Sequence, residues 1–564
     1  MLFETLGAVS DLGRLSEIAS VLVRYGFRDF VERSGIRALL ERAGAKIHWQ
    51  PFSSDSATTT PARVRRALEE LGPTFVKLGQ LLASRHDLLP HEWTTELGSL
   101  HASVTPVPFE QLRHQLEEDL GGDPRRVFAR FEETPLAAGS IAQVHAATAH
   151  DGSDLVVKIR RPGIEKTIFA DLRLMARLAR VLEDEGGDIR RFRPVRVVRE
   201  FARTMRAELD FATEARNLRT LARNLESMDG VVLPDVIDTL VRERLLVMTR
   251  LRGLSAADWL ESQSAGTKRE QPFDSRAVAH VGADVVLQMV FGDGFYHADP
   301  HPGNLMFLED GRLGLLDFGQ VGRLSESRRR QLVQLLAGVL ARDEERAVDV
   351  LLEWAPGAST DVDALAADVR AFIDRYHGIE LDKLDVARLL MDVSEIVREN
   401  ELYLPADISV LIKVFVTLEG LGRALDPEFR LSTHIEPAAH RLERNLLSKR
   451  GMMRRGVRDL RSLMIQLPTD LRRLLTRVRR GEVHLELDMK RLDRFGNQIS
   501  SSANRLTIGM ITAALIVGTA IAMTIDSGPK IFGMPALGLF GFLCSVTIGV
   551  GLLWSIARSS QRKF

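Results

Sequence analysis

The chain has 564 residues, 45% of them hydrophobic and 27% charged, with a formal net charge of +0. This composition is typical of a folded protein of about three or four domains, and it excludes an intrinsically disordered chain. The balanced charge gives no overall preference for nucleic acid, and the single cysteine, Cys544, excludes a disulfide framework within one chain. The first residues carry Glu4 and Asp11 and lack a long apolar core, so we expect neither a secretory signal nor a transit peptide.

Two helical segments precede the first predicted strands. Residues 1–60 place apolar side chains at helical spacing and end in a linker rich in Ser and Thr, which predicts packing helices and then a domain boundary. The second segment, 61–123, opens with Pro61 as a helix start and includes Lys77 and Gln80. A lysine and a glutamine on a helix are usually solvated, so the residue pattern alone gives them no function.

From residue 124 the pattern changes from helices to strands. Three apolar runs bounded by small or turn residues predict a three-stranded meander at 126–131, 141–147 and 155–160. The small residues between the first two strands are Ala137, Ala138, Gly139 and Ser140. Small residues let backbone amides approach a triphosphate closely, so we interpret this loop as a nucleotide-binding loop.

Lys158 lies on the third predicted strand, between Val157 and Ile159. A lysine on a buried strand is unusual unless it meets a negatively charged partner. Glu214, on a predicted helix, is the natural candidate for that partner. A lysine held in this way can pair with the phosphates of a nucleotide.

Another buried strand is predicted at residues 244–251, and an apolar helix is predicted at 277–291. The strand lies where two lobes would join, so we expect its backbone to hydrogen-bond a purine and Met248 to line the purine pocket. Methionine is as often a plain core residue, and the sequence leaves both interpretations of Met248 open.

The stretch 295–319 carries the groups of a phosphoryl-transfer site. His297 and Asp299 precede Asn304, and two short predicted strands joined by an Asp-Gly turn then lead to Asp317 in an Asp-Phe-Gly sequence. Such a hairpin would bring Asn304 and Asp317 together. Asp299 can orient or deprotonate a nucleophile, while Asn304 and Asp317 can hold Mg²⁺ on the phosphates of ATP.

Helices are predicted from Ser325 to about residue 425, followed by a basic segment and two apolar runs. Residues 436–505 interleave many arginines with Leu and Met, which suits either nucleic acid or anionic membrane lipids. We favour the lipids and expect no nucleic acid, because the uncharged runs 506–525 and 531–556 that follow are long enough to cross a bilayer.

Basic residues flank both ends of this predicted transmembrane hairpin, for example Arg505 and Arg558. By the positive-inside rule, both ends and the soluble domains are expected to face the cytoplasm. Ala514, Gly518 and Ala522 recur at four-residue spacing. Such small residues allow close helix packing, either within the hairpin or with a second copy of the chain in a homodimer.

At this point the motifs resemble those of the UbiB/AarF family of atypical kinase-like proteins, which support prenylquinone biosynthesis. The motifs that carry the resemblance are KLGQ at 77–80, AAGS at 137–140, VKIRRPG at 157–163, ELDF at 208–211 with Glu214, HADPHPGN at 297–304 and DFG at 317–319. They span most of residues 60–430. The resemblance implies an α+β, bilobal protein-kinase-like fold with an amino-terminal helical extension and a carboxy-terminal transmembrane helix hairpin.

The resemblance also suggests the domain bounds. These are 1–60 for the amino-terminal helices and linker, 61–123 for the helical extension, 124–251 for the N-lobe, 252–435 for the C-lobe, 436–505 for the basic juxtamembrane segment and 506–564 for the hairpin.

The resemblance assigns a regulatory role to the helical extension. Lys77 and Gln80 would belong to an extension that folds over the site, with Lys77 near Glu208 and Asp210. Such an extension would block the groove in which a protein substrate normally lies.

The resemblance also implies roles for the site residues. Lys158 and Glu214 match the phosphate-pairing lysine and its helix partner. Asn304 and Asp317 match the magnesium ligands, and Asp299 matches the acid of the catalytic loop.

Two features depart from ordinary protein kinases. His301 stands two residues after Asp299, where most Ser/Thr kinases place a lysine that steadies the transferred phosphate. The residues after Gly319 pass into helix without an Ala-Pro-Glu anchor, which leaves little segment to bind a peptide.

The leading hypothesis is therefore a membrane-anchored ATPase or small-molecule kinase that binds ATP or ADP with Mg²⁺ and supports prenylquinone biosynthesis. Its expected partners are anionic lipids and prenylquinone intermediates or their enzymes, at a bacterial inner membrane. A protein kinase and a nucleotide-gated scaffold stay open as alternatives.

Overall fold

The computed structural model describes the chain in ranges up to residue 435 and at a few scattered residues after residue 512. The ranges are 9–34, 36–42, 59–100, 105–184, 192–265, 273–354, 361–377 and 384–435. The chain divides into two units, Met1–Gly451 and Met452–Phe564. The elements that position the candidate site all lie in the first unit.

The helices and strands are as follows. The helices are α1 (Val9–Arg24), α2 (Arg28–Arg33), α3 (Ile36–Arg42), α4 (Thr60–Leu71), α5 (Pro73–Ala83), α6 (His91–Gly98), α7 (Phe109–Leu120), α8 (Pro124–Val127), α9 (Ile164–Asp184), α10 (Pro194–Glu208), α11 (Phe211–Leu225), α12 (Ala256–Ser264), α13 (Ser275–Leu287), α14 (Glu326–Ala341), α15 (Glu344–Trp354), α16 (Val362–Tyr376), α17 (Val386–Glu399) and α18 (Ala406–Leu425). The strands are β1 (Arg130–Ala138), β2 (Ala142–Thr148), β3 (Asp154–Arg160), β4 (Val231–Val232), β5 (Leu245–Thr249), β6 (Gly253–Ser255), β7 (Phe295–His297), β8 (Leu305–Leu308), β9 (Leu313–Leu315), β10 (Val321–Arg323), β11 (Lys530–Ile531) and β12 (Met534–Pro535).

The amino-terminal helices α1–α6 share one hydrophobic core with α9 and α10, which follow the first strands. Helix α4 starts where Pro61 predicts it, with the Thr59 hydroxyl accepting from the Ala62 N–H as a cap. The Arg14 guanidinium of α1 lies 2.7 Å from the fully buried Asp171 carboxylate of α9. The amino-terminal helices, including those of the helical extension, therefore pack directly against helices α9 and α10 of the N-lobe.

Strands β1, β2, β3 and β5 form an antiparallel sheet in that order, so the predicted meander is confirmed. The predicted start of the first strand was wrong, because Pro124–Val127 is a helical turn capped by the Asp123 side chain. The strand also runs further than predicted. Ala137 and Ala138 belong to β1 and pair with Val144 and Gln143, after register shifts beside Pro135, which has no N–H to donate.

The carboxy-terminal lobe is mainly helical and is built on one large core that runs from α11 to α18. A small sheet in the order β4-β9-β8-β6 and the pair β7–β10 lie in this lobe. The predicted helix at 277–291 is α13, which continues as a π-helical segment, Gln288–Asp293, before β7. The Ser325 hydroxyl caps α14 by accepting from the Arg328 N–H, as its position predicts.

The predicted hairpin between Asn304 and Asp317 is confirmed. Strands β8 and β9 pair antiparallel, and Gly311 takes the positive φ of 83° that the Asp-Gly turn requires. The Leu316 N–H donates to the Asn304 carbonyl at 2.8 Å. The hairpin thus fixes the backbone of Asn304 beside the residue that precedes Asp317.

The predicted hairpin at 506–564 and the basic segment 436–505 lie outside the described residues, apart from scattered positions. Among the helices that are described, none is long and apolar enough to cross a bilayer. At the start of the second predicted span, Lys530–Ile531 pairs antiparallel with Met534–Pro535. The prediction of a membrane-spanning helix is therefore wrong for these four residues, where Pro535 disfavours a helix.

Gly253 is a position where the fold requires glycine. A Cβ on Gly253 would lie 2.2 Å from the Phe307 carbonyl oxygen and 2.9 Å from Leu308 Cα, which are backbone atoms of β8. We expect Gly253→Ala to cost about 3 kcal/mol of stability, because β6 and β8 would have to separate. Gly420→Ala is the control, since nothing lies within 4 Å of its added methyl and it sits inside α18. Thermal unfolding should show a clear loss for the first variant and none for the second; equal midpoints would contradict the prediction.

Candidate active site

The site is organised around Lys158 on β3. Its ammonium lies 2.8 Å from Glu214 Oε1 and 2.9 Å from Oε2, so the predicted ion pair is present. Glu214 is buried on the first turn of α11, with its side chain 2% exposed. Burial raises the pKa of Glu214 to about 7, although Lys158 acts in the opposite direction. The pKa of Lys158 is itself raised, because Asp317 and Glu214 together outweigh the effect of burial.

Helix α11 also holds the backbone of the Asp-Phe-Gly sequence. The Phe318 N–H donates to Glu214 Oε1 at 3.3 Å, and the Asn217 side-chain amide donates to the Phe318 carbonyl at 3.0 Å. The Phe318 ring is fully buried and meets the His297 ring edge-on at 5.8 Å. The position of α11 and the position of Asp317 are therefore set together.

Asp317 stands at the mouth of the site in the left-handed region, with φ of 50°. Its Oδ1 accepts from the Gly319 N–H at 3.0 Å and lies 3.3 Å from the Lys158 ammonium. Burial alone would raise the pKa of Asp317, but Lys158, the Gly319 N–H and Lys77 lower it below the ordinary range. The carboxylate is thus held ionised, while 49% of the side chain stays exposed.

The loop from His297 to Asn304 is fixed by its own side chains. His297 Nδ1 accepts from the Asp299 N–H at 3.1 Å, and its Nε2 donates to the Leu316 carbonyl at 3.0 Å. The Asn304 side-chain amide donates to the Asp299 carbonyl at 3.0 Å. The Asp299 carboxylate accepts from the Lys413 ammonium at 2.7 Å.

The donor set suits Mg²⁺ bound together with phosphates. Among the described residues, no group of three or more His, Cys, Asp or Glu side chains could hold a metal ion alone. Mg²⁺ in nucleotide sites usually takes one or two protein oxygens and completes its shell with phosphates and water. Asp317 supplies a carboxylate and Asn304 a side-chain carbonyl, since its amide nitrogen is already used on Asp299. The residues present therefore fit the ion.

The helical extension enters the site through Lys77 of α5. Its ammonium lies 2.9 Å from Glu208 Oε2 on α10, as the resemblance implies. Burial opposes the charge of Lys77, but Glu208, Asp317 and Asp299 raise its pKa above the ordinary value. The Gln320 side chain also donates to Glu208. Lys77 is thus the third lysine whose ammonium interacts with carboxylates of the site, together with Lys158 and Lys413.

The other residues predicted beside Lys77 make different contacts. Gln80 donates to the Leu100 carbonyl at 3.0 Å, within the extension. Asp210 caps α11 by accepting from the Ala212 N–H at 3.0 Å, and it lies 3.3 Å from the Arg216 guanidinium. A regulatory role for Gln80 and Asp210 stays a prediction.

The small-residue loop is shorter than predicted and is braced by a buried arginine. The Gly139 N–H donates to the Ala142 carbonyl at 2.8 Å, and Arg161 Nε donates to the Gly139 carbonyl at 2.9 Å. Ser140 is buried. Met248 lies in the core with its backbone paired to Val156, and its contact with a purine stays a prediction.

Sequence reasoning missed two groups of residues. Lys413 of α18 lies 2.7 Å from Asp299 Oδ1. Its sequence signal is a lone lysine in the apolar run of α18, the same kind of signal that singled out Lys158. The second group is a buried Arg85–Asp87 pair that also contacts Glu200 and Tyr403, and no local pattern marks it.

Two lobes, a strand lysine paired with a helix glutamate, and an Asp-Phe-Gly hairpin define this as a kinase-like protein. An ABC1 atypical kinase-like domain matches residues 99–351, a UbiB helical domain matches 369–430, and an ABC1/UbiB kinase-like C-terminal domain matches 490–558. The chain belongs to the ABC1/UbiB family of atypical kinase-like proteins.

Two relatives of the chain come from bacteria. A protein described as "Probable protein kinase UbiB" from Pseudomonas paraeruginosa is 34% identical over 449 residues, which are 78% of this chain and 83% of the relative. A protein of the same description from Marinobacter nauticus is 33% identical and covers 82% of this chain and 84% of the relative. A solved complex of Rv3197 with erythromycin from Mycobacterium tuberculosis is 24% identical, with 71% of this chain and 95% of that chain covered, at a TM-score of 0.44.

Proposed function

We propose that this chain is a membrane-anchored, ATP-dependent phosphoryl-transfer protein that supports ubiquinone or another prenylquinone pathway. The observation that carries the proposal is the position of Lys158 between Glu214 and Asp317, at 2.8 Å and 3.3 Å. One lysine held between a helix carboxylate and a metal-binding carboxylate is the arrangement that a kinase site needs before it can act.

Each residue has a distinct task in this proposal. Lys158 would bind the nucleotide phosphates, and Glu214 would keep its ammonium pointed at them. Asp317 and Asn304 would hold Mg²⁺, which supplies charge neutralisation at the phosphates when it is bound. Asp299 would orient the attacking oxygen, or accept its proton.

The acceptor is more consistent with water or a small or lipid molecule than with a protein. Lys77 of the extension reaches Glu208 beside the site, where it restricts the approach of a folded substrate. Only the segment 320–325 separates Gly319 from α14, so little chain is left to bind a peptide. These features favour slow ATP hydrolysis or transfer to a small acceptor over phosphorylation of proteins.

The membrane part of the proposal rests on the sequence after residue 436. Its arginine-rich segment and two uncharged runs suit anionic lipids and a bacterial inner membrane, with the kinase-like domains on the cytoplasmic side. The partners proposed with it are prenylquinone intermediates or their biosynthetic enzymes, and a second copy of the chain through the small-residue stripe.

The test is phosphate release from ATP by the full-length chain in liposomes. Three preparations are compared: phosphatidylglycerol-rich vesicles, phosphatidylcholine vesicles and detergent micelles, each with Mg²⁺ or with excess chelator. ATP labelled on its terminal phosphate reports any labelled protein or lipid. We expect release that requires Mg²⁺ and is faster on the anionic vesicles, with no labelled protein.

The other outcomes separate the alternatives. Labelled protein that depends on Asp299 would favour a protein kinase. ATP binding without release or labelled product would favour a nucleotide-gated scaffold. Release that survives the chelator would contradict the proposed magnesium site.

A further inference from the structure

Lys413 is an unusual residue for its place in the fold. It lies in the middle of α18, between Ile412 and Val414, which are 2% and 0% exposed. Its own side chain is 33% exposed, and its ammonium reaches Asp299 Oδ1 at 2.7 Å. A lysine between buried apolar residues of a helix usually has a charged partner. That partner here is the acid of the catalytic loop.

The catalytic loop itself offers Asp299 no comparable cation. His301, two residues further on, has its Nε2 3.9 Å from Asp299 Oδ2, beyond hydrogen-bond distance. Its Nδ1 is used as an acceptor from the Gly303 N–H at 3.0 Å. Burial lowers the pKa of His301. The negative charge of Asp299 raises this pKa, and the positive charge of Lys413 lowers it further. His301 therefore makes no hydrogen bond with the Asp299 carboxylate.

The third cation near Asp299, Lys77, is already committed elsewhere. Its ammonium is 2.9 Å from Glu208 on α10, and its interaction with Asp299 acts at longer range. Lys413 makes the direct contact and comes from a different element. The orientation of the Asp299 carboxylate thus depends on a helix that follows it by more than a hundred residues.

We propose that Lys413 is the positioning residue of Asp299: it supplies from α18 the positive charge that ordinary kinases place within the catalytic loop, and it holds one carboxylate oxygen so that the other faces the acceptor. This inference rests on the proposed phosphoryl-transfer function. It makes the helical region at 369–430 a working part of the active site as well as a structural one.

The test compares Lys413→Met with Lys413→Arg in the full-length chain. Methionine keeps the length and helix propensity of the side chain and removes its charge, whereas arginine restores the charge. We expect Lys413→Met to lower kcat for phosphate release about 10- to 100-fold with KM for ATP changed less than about twofold, and Lys413→Arg to recover most of kcat. Lys166→Met, an exposed lysine on α9, is the control and should match the unchanged chain.

A second comparison separates positioning from packing. If Lys413 acts through Asp299, adding Lys413→Met to Asp299→Asn should lower the single-turnover rate by less than about threefold further. Full additivity of the two effects would overturn the inference, as would an unchanged kcat in Lys413→Met or a failure of arginine to recover it. Turnover that requires Asp317 but ignores Lys413 would refute this inference alone, whereas turnover independent of Asp317 would refute the proposed function and this inference with it.

Discussion

Asp317→Asn is expected to reduce Mg²⁺-dependent phosphate release about a thousandfold while leaving the fold intact. The carboxylate is the charged ligand in the proposed metal site, and its interaction with the metal supplies several kcal/mol of transition-state stabilisation, about tenfold in rate for each 1.4 kcal/mol. Asn is the substitution that the backbone tolerates best. Residue 317 has a φ of 50°, and Asn adopts this left-handed conformation more readily than other non-glycine residues.

The hydrogen bond that holds the turn should also survive in Asp317→Asn. Asp317 Oδ1 accepts from the Gly319 N–H, and an amide oxygen can accept the same bond. The Lys158–Glu214 ion pair is untouched, so binding of ATP without metal should be retained. The substitution therefore removes the negative charge at the metal site and the 3.3 Å ion pair of Asp317 with Lys158, and it leaves the local backbone in place.

Asp310→Asn provides a closely matched control for Asp317→Asn. Asp310 makes the same kind of local bond, from the Arg312 N–H two residues on, but it lies on the exposed hairpin turn. The control should turn over ATP at the unchanged rate and unfold at the same temperature as Asp317→Asn. Equal turnover by the two variants would rule out Asp317 as a magnesium ligand.

Arg85→Leu is expected to be the most destabilising of the charge substitutions, by about 3–5 kcal/mol. Arg85 is 3% exposed and holds the fully buried Asp87 through two bonds of 2.8 Å. The same guanidinium lies 3.3 Å from Glu200 on α10 and 3.3 Å from the Tyr403 hydroxyl, shortly before α18. Without the arginine, Asp87 would be a buried charge without its cationic partner.

The double variant Arg85→Leu/Asp87→Leu separates the cost of the unpaired charge from the loss of the contact. Replacing a whole buried pair by apolar side chains is often nearly neutral, so the double variant should be more stable than Arg85→Leu. Arg312→Leu removes an exposed pair with Asp310 and should cost far less stability than Arg85→Leu, because water screens that pair. Thermal unfolding of the three variants gives the order, and a double variant less stable than Arg85→Leu would contradict this account.

The Arg85 cluster has a consequence for the site as well as for stability. It joins the extension that carries Lys77 to the segment that leads into α18, which carries Lys413. Loosening the cluster would move two of the cations that surround the site. We therefore expect limited proteolysis to cut the α5–α6 region faster in Arg85→Leu than in the unchanged chain.

The sequence by itself determined the part of the site that residue patterns mark. A lysine on an apolar strand requires a buried counter-charge, which predicted the Lys158–Glu214 pair. An Asp-Gly turn between two short apolar runs requires a hairpin, which predicted that Asn304 and the residue before Asp317 would meet. The family motifs then extended this to Lys77 and Glu208, which the structure brings within 2.9 Å.

Only the tertiary structure decided which charges from distant elements act on the site. Lys413 and Asp299 are 114 residues apart, and Arg85 and Tyr403 are 318 residues apart, so no periodicity or spacing relates them. The strand that begins at Arg130 and takes in Ala137 and Ala138 was likewise decided by pairing with β2 rather than by composition. The physical reason is common to all three: each contact joins two distant elements of the chain, and no residue pattern in either element identifies its partner before the chain has folded.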